Sequence, residues 1–377
     1  MKKNSSIRTL VEPGFIGLDL SDQQSTFIGL DGAGKQVEEG KVATTRAGLR
    51  KAFGGREPCR IAIEVGTHSP WVSLLLIELG HEVIVANPRQ VALIYRNKRK
   101  SDQVDATTLA RLARSDPELL HPIRHRGEQA RTDLALLRAR DVLVRSRTQL
   151  VNHVRGVVKS QGERLPACTT AAFAMKAGPS IPTTLKLALD PLITQISALT
   201  ESIKNYDKEI EGLLGRYREA VLLRQVNGVG PITALVYILT IEDPDRFSVS
   251  RDVGAYLGLV TGRNQSGDSD PELHITKTGD PFARKILVQA AQYIIGPFGT
   301  DCDLRRWGLR LAGISTTPAG GLTKGSKQRK KKAVVAVARK LAVLLHALWR
   351  NGEVYDPFRH ADKEAHEQEA KAKKEAA

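Results

Sequence analysis

Between Gly14 and Pro88 the apolar residues come in short runs, and the order of strand-like and helix-like runs leaves few folds open. GFIGLDLS (residues 14–21) is a short apolar strand ending at Asp19. STFIGLDGAGKQVEEGKVAT adds two strand-like runs joined by a Gly-rich turn, so residues 14–44 read as a three-strand meander. TRAGLRKAFGG reads as a helix stopped by glycines, and CRIAIEVG as a buried strand ending at Glu64. SPWVSLLLIELGH is a helix, and EVIVANP is a strand closed by Pro88. From Arg89 to about Arg114 the chain is helical at least in its second half. The order β-β-β-α-β-α-β-α predicts a mixed sheet with helices on its faces.

That is also the element order of a ribonuclease H-like, or RuvC-like, α/β domain. Asp19 and Glu64 both end apolar strands, at the sheet edge where open α/β folds place their ligands. In KSDQVDA, Asp102 and Asp105 stand three apart and share one helix face near its start. A single acid after a strand is ordinarily a turn residue or a helix cap. Four at compatible positions are harder to explain that way, because packed carboxylates repel and one would be driven to protonate. Mg²⁺, a hard cation held by carboxylate and water oxygens, relieves that conflict. The basic run Arg96, Lys98, Arg99, Lys100 just before these acids suggests nucleic acid lying across the site. GLDGAGK (residues 29–35) has the glycines and lysine of a phosphate-binding loop. It is followed by Gln36 rather than Ser or Thr and joins two strands, so it reads as a hairpin turn.

The middle of the chain is helical. Leu136, Leu143, Leu150 and Val157 form one seven-residue stripe, and Leu137, Val144, Val151 and Val158 another. A second helix is expected to start with Asp190 as N-cap and Pro191 at its first position. It continues through Leu192, Ile196, Leu199, Ile203, Tyr206, Ile210 and Leu213, the spacing of a coiled-coil seam. The proline-bearing segment between them, residues 162–184, cannot be one continuous helix. A coiled-coil helical hairpin follows, serving as a spacer or as a dimerisation arm.

In the last third, LLRQVNGVGPITALVYIL (residues 222–239) reads as helix, Gly-x-Gly turn and helix. This helix-hairpin-helix pattern lets a backbone phosphate approach Gly228 and Gly230 and meet the amides of the new helix; the plain alternative is a tight interhelical turn. Residues 263–272 form a polar loop in which Ser266 precedes Gly267, and HITKTGDP leads into an apolar helix. By residue type alone such a serine is a turn residue, and no His/Asp pair is spaced to make it a conventional triad. KGSKQRKKK, with Lys330, Lys331 and Lys332, opens another helix with a charge run suited to phosphates. The division expected is an α/β domain over residues 1–115, a coiled-coil spacer or arm over 116–215, a mainly α-helical domain over 216–360 and a charged tail over 361–377.

Composition narrows the partner. The formal net charge of +16 favours a polyanion, and the clustering of the basic residues favours nucleic acid over an anionic membrane surface. Cys59, Cys168 and Cys302 are isolated, which argues against a disulfide framework or a structural zinc site. The N-terminus lacks the apolar core of a signal peptide, and the apolar runs are too short to cross a bilayer. A soluble, cytoplasmic protein is expected.

Taken together, GLDLS, IAIEVG, KSDQVDA, VNGVGPITA, YLGLVTGRNQSG and ITKTGDPFARKILVQAA resemble the DEDD transposases of bacterial insertion sequences. That family includes pilin-gene invertases and bridge-RNA-guided recombinases, and the resemblance runs in order from about residue 14 to 350. It implies that Asp19, Glu64, Asp102 and Asp105 are the Asp-Glu-Asp-Asp quartet of a RuvC-like domain that binds Mg²⁺. It implies that Ser266, in a C-terminal serine transposase domain, attacks a DNA phosphate and becomes covalently linked to it. The partners implied are double-stranded DNA (element ends and target), a structured guide RNA and further copies of the chain. The family loop commonly reads Ser-Ser-Gly-Gly, whereas here Gln265 precedes Ser266 and Asp268 follows Gly267, so Ser269 is a second candidate nucleophile. Arg263, Lys277, Arg284 and Lys285 are candidate phosphate-holding residues near the serine. The competing readings are a Mg²⁺-dependent nuclease or junction resolvase of the RuvC type, a non-catalytic nucleic-acid scaffold, and an actin-like sugar kinase, for which no second matching lobe is found.

Overall fold

The computed structural model describes residues 13–87, 101–271, 273–315, 323 and 325–359. They form two compact units, Met1–Arg126 and Gly127–Ala377. The basic run Arg96, Lys98, Arg99, Lys100 lies outside the described residues.

In the first unit the expected meander is present: β1 (Phe15–Asp19), β2 (Gln24–Leu30) and β3 (Gln36–Ala43) pair antiparallel in sequence. Between β2 and β3 the chain turns at Asp31–Lys35. The Asp31 carboxylate accepts from the Lys35 amide at 2.8 Å and Gly34 adopts φ 85°, so the P-loop-like run is a hairpin turn. Helix α1 (Arg46–Phe53) starts at Thr45, whose hydroxyl accepts from the Gly48 amide, and stops at Gly54. Strand β4 (Arg60–Glu64), helix α2 (Ser69–Glu78), strand β5 (Glu82–Ala86) and helix α3 (Asp102–Ser115) follow. The sheet order is β3-β2-β1-β4-β5, with β4 parallel to both β1 and β5.

The period-2 alternation of each strand divides the helices between the faces. Ile16, Leu18, Ile61 and Ile63 pack with Leu49, Phe53, Val72 and Leu75 of α1 and α2. Ala62 and Ile84 pack with Leu109 and Leu112 of α3, and Ile28 and Leu30 with its Ala106 and Ala110.

The second unit begins with α4 (Glu128–Ser160). After the short helix α5 (Phe173–Ala177), α6 (Lys186–Leu213) returns alongside it. Arg140 pairs with Asp207 and Arg147 with Thr200, so a seven-residue step up one helix matches a seven-residue step down the other: the pair is antiparallel. The stripe on Leu137, Val151 and Val158 is buried, while Leu136, Leu150 and Val157 are half-buried beside it. Position 147 puts an arginine in that seam. Its burial, and then the neighbouring Arg140, lowers its pKa from the usual arginine value against an opposing pull from Asp207.

The start of α6 differs from expectation. Asp190 is not the N-cap; the helix begins at Lys186 and Pro191 lies inside it. Proline removes the hydrogen bond to the carbonyl four residues back. That residue, Leu187, is 94% exposed, so water can satisfy the freed oxygen. The proline-rich segment folds over the hairpin tip, where Leu165, Phe173, Ala177 and Ile181 pack on Val151, Val154, Val158 and Ile196. The base of the hairpin, at Leu134, Leu137, Ile210 and Leu213, shares a core with the helices that follow. These are α7 (Ala220–Leu223), α8 (Pro231–Ile241), α9 (Asp252–Tyr256), α10 (Pro281–Ile294), α11 (Asp303–Ala312) and α12 (Lys327–Asn351). Asp133 ties α4 to the chain beyond α6: its carboxylate accepts from Arg216 at 2.9 Å and from the Tyr217 hydroxyl. Burial and that bond push the Tyr217 phenol above its ordinary range.

Candidate carboxylate edge and serine loop

Asp19 and Glu64 stand side by side at the C-terminal ends of parallel neighbours, one step beyond the Leu18–Ile63 pair. Asp19 is two residues from Gly17 and Glu64 two from Ala62, so both point to the face that α3 covers. Gly17 explains how close that helix comes. A Cβ there would lie 1.9 Å from the Ala106 carbonyl oxygen and 2.6 Å from the Ala110 nitrogen. Only glycine lets α3 lie against β1.

The register of α3 is set by Ser101, whose hydroxyl caps the helix by accepting from the Val104 amide. Asp102 and Asp105 therefore occupy its first turn, where the helix dipole favours negative charge. They differ in setting: Asp105 is 4% exposed beside Ala106, whereas Asp102 is open to solvent. Asp19, Glu64 and Asp105 thus share the sheet–helix layer. Among the described residues, no three His, Cys, Asp or Glu side chains close to the spacing of metal ligands. The quartet is brought to one edge by backbone placement, without direct convergence. As a donor set it is all carboxylate, running from exposed Asp102 through half-buried Asp19 and Glu64 to buried Asp105, which suits Mg²⁺ and not a soft metal.

In the second unit the serine loop lies between α9 and α10. Gly258 and Gly279 interlock: a Cβ on Gly258 would be 2.4 Å from the Thr278 nitrogen, and one on Gly279 2.0 Å from the Tyr256 oxygen. Thr261 bridges Ile275, and beyond that bridge Ser266 pairs with Ser269 across a tight turn. Each serine's amide donates to the other's carbonyl at 3.0 Å, with Gly267 at φ 55° between them. The two candidate nucleophiles are the two ends of one exposed turn. Lys277 adopts φ 55°, a left-handed conformation uncommon for a non-glycine residue.

The candidate phosphate-holding residues divide. Arg263 is open, with Asp270 at 3.8 Å, and Lys277 is exposed. Arg284 donates to the Leu257 and Thr278 carbonyls, clamping the interlocked turns, and Lys285 pairs with Asp141 of α4. Asp280 caps α10 through the Phe282 and Ala283 amides and pairs with Arg138 at 2.7 Å. These contacts hold the foot of the loop, and spacing alone carried no signal of them. Gly17 did carry one, since a glycine inside a strand marks close backbone approach.

Two basic features complete this unit. Around Gly228 and Gly230 the expected turn is present, with Gly228 at φ 91° and Pro231 opening α8, but the preceding helix is the single turn α7. Lys330, Lys331 and Lys332 are exposed in the N-terminal part of α12, which has no acid in its first turn. Cations at a helix N-terminus oppose the macrodipole.

Two family models meet these features. The DEDD transposase model of IS110 type, described as "Transposase", matches residues 16–161, and the "Transposase IS116/IS110/IS902 family" model matches residues 220–299. The chain belongs to the IS110/IS116 family of transposases. The transposase is 29% identical over 353 residues to the "Probable family 20 transposase" of Pseudomonas aeruginosa, covering 91% of this chain and 98% of that one. It is 24% identical over 364 residues to the transposase for insertion sequence element IS1111A of Coxiella burnetii (92% and 93% covered). With the transposase for insertion sequence element IS1328 of Yersinia enterocolitica it shares 29% identity over 238 residues (62% and 70%). It is a DNA-rearranging enzyme that mobilises insertion sequences. Among the described residues, no helix is long and apolar enough to cross a membrane.

Proposed function

We propose that the transposase cleaves and rejoins DNA with a serine nucleophile, Ser266, and a carboxylate quartet, Asp19, Glu64, Asp102 and Asp105, that holds Mg²⁺. The observation that carries this reading is that the first family model covers all four acids and the second covers the serine loop. The strand order β3-β2-β1-β4-β5, with acids at the ends of β1 and β4, supports a RuvC-like first domain.

When bound, Mg²⁺ would polarise a phosphate and offset the charge that builds on its oxygens. The chain's own residues do the rest. Ser266 is exposed and presented at a turn whose foot is locked by Arg284 and Asp280, so its hydroxyl is positioned without being buried. As Oγ loses its proton and bonds to phosphorus, the bond from phosphorus to one bridging oxygen breaks and that oxygen takes up a proton. Rejoining is the reverse attack by a nucleoside hydroxyl, which releases the serine. Arg263 and Lys277 are placed to hold phosphate oxygens; Arg284 and Lys285 act by positioning. The Gly228–Gly230 turn grips backbone, as do the lysines of α12, whose unfavourable place at a helix N-terminus a polyanion would relieve. The antiparallel pair α4/α6, read as a coiled coil, serves as spacer or as the arm of a homo-oligomer. A structured RNA, as in the guided relatives, selects the donor and target DNA, and Arg96, Lys98, Arg99 and Lys100 contact nucleic acid.

The test is a covalent adduct. The full chain with Mg²⁺ and duplex element ends is expected to give a protein–DNA band that resists denaturant, absent in Ser266→Ala and retained in Ser269→Ala. Wild-type cleavage by Ser266→Ala without an adduct would replace the serine reading by hydrolysis of the RuvC type. Sequencing of copurifying RNA is expected to yield one structured species; bulk cellular RNA alone would remove the guide.

A further inference from the structure

Among the described residues, Tyr293 and Phe298 are the exposed aromatics, at 49% and 79%; every other described Phe, Tyr and Trp is buried or half-buried. Tyr293 lies in the last turn of α10 and Phe298 in the loop that follows it. Of their exposed neighbours Pro297 is apolar while Gln289, Gln292 and Thr300 are polar, so the apolar surface here is small and broken by polar groups, unlike the large patches that dock proteins.

The loop that carries Phe298 is held firmly. Arg305, 7% exposed, donates through one guanidinium nitrogen to the Ile294 carbonyl and, at 2.6 Å, to that of Gly296. Gly299 donates to the Gly296 carbonyl at 3.3 Å, and a Cβ on Gly299 would stand 2.0 Å from the Ile294 oxygen. A buried arginine and an obligatory glycine thus fix a loop whose tip is an apolar ring in water. The helix end below it abuts the glycine turn: a Cβ on Gly228 would lie 3.2 Å from Tyr293 Cδ1 and 2.9 Å from Ile294 Cγ1. Exposed Arg224 leads into the same turn.

We propose that Tyr293 and Phe298 form an aromatic step that stacks on an unpaired nucleobase of the strand whose backbone the Gly228–Gly230 turn holds. The proposal rests on reading that turn as a nucleic-acid clamp. A backbone clamp is indifferent to base pairing, whereas a ring stacks only on a base face that is free. Fixed rings also lose little freedom on binding, which is why aromatic anchors carry much of the affinity where they occur. The pair therefore makes the site prefer strands with a flipped, looped or melted base over intact duplex.

The experiment uses the full chain with four fluorescent probes: DNA and RNA, each as perfect duplex and as the same duplex with one unpaired 2-aminopurine. The wild type is expected to quench the unpaired 2-aminopurine. Phe298→Ala is expected to lose roughly tenfold in affinity for the unpaired probes and little for the duplexes, with the salt slope unchanged. Phe298→Trp is expected to restore binding, and Tyr293→Leu to act like Phe298→Ala. Comparison of the DNA and RNA arms identifies which strand supplies the base. Equal affinity of Phe298→Ala and wild type on all probes would overturn the step, as would loss of self-association without loss of stacking. Failure of the clamp reading looks different: Gly230→Val, whose side chain enters open space on the turn and does not press on Tyr293, would then leave the affinity and salt slope of every probe unchanged. Because Phe298 is so exposed, its variants should melt with the wild type.

Discussion

A methyl group added at Gly17 would sit 1.9 Å from a carbonyl oxygen, while one added at Gly267 would meet nothing within 4 Å. The two glycines stand beside the two halves of the proposed chemistry, and the contrast shows how differently these are built. The carboxylate edge depends on dense packing of a strand against a helix, with Asp105 buried in the layer between them. The serine turn is exposed over its whole length and depends on contacts at its foot. A carboxylate set meant for a hard cation gains from buried, fixed oxygens, because mutual repulsion among them is relieved only by the ion. A nucleophile that must meet a polymer substrate gains from exposure, provided its base does not move.

Three substitutions probe that contrast, beginning with the largest effect. Gly17→Val forces backbone apart on both sides of the α3–β1 contact and is expected to cost at least about 3 kcal/mol, read as loss of the cooperative melt of the first unit. A variant that melts like wild type would mean that the close approach does not hold the edge together. Gly267→Ala meets open space but keeps a left-handed backbone, so about 1–2 kcal/mol of local strain is expected. Proteolysis should find that strain in the serine loop, with the main melting transition in place. Asp102→Asn removes an exposed acid from a helix N-terminus and should change stability by no more than about 0.5 kcal/mol while abolishing Mg²⁺-dependent cleavage. If cleavage survives in Asp102→Asn, the quartet reading fails at that position.

Much of the first unit was legible because its signals are local. Short apolar runs bounded by turn residues and the glycine stop after Phe53 each act within a few residues, and the observed elements fall where those signals put them. The Ser101 cap, equally local, sets a helix start that sequence patterning leaves open between Arg89 and Arg114. The same locality misled at Asp190 and Pro191. The proline looks like a helix start, but an exposed carbonyl at Leu187 lets the helix absorb it. Arg147 repeats the lesson in the seam: it lies on neither seven-residue stripe, yet it is buried between the two helices, where it donates to Thr200. Arg284 and Lys285 looked like free cations beside a serine and are instead engaged with carbonyls and with Asp141. Nothing near them in sequence names those partners.

By itself, the sequence determined the kinds of element, their order, and which acids end strands or open a helix. These follow from backbone and side-chain preferences that span one or two turns. Tertiary structure decided the rest: that Asp105 is buried while Asp102 is not, that Ser266 and Ser269 end one turn, and that Phe298 is held out in solvent by Arg305. Each of those outcomes depends on which distant backbone comes within van der Waals reach, and close packing is a property of the assembled chain.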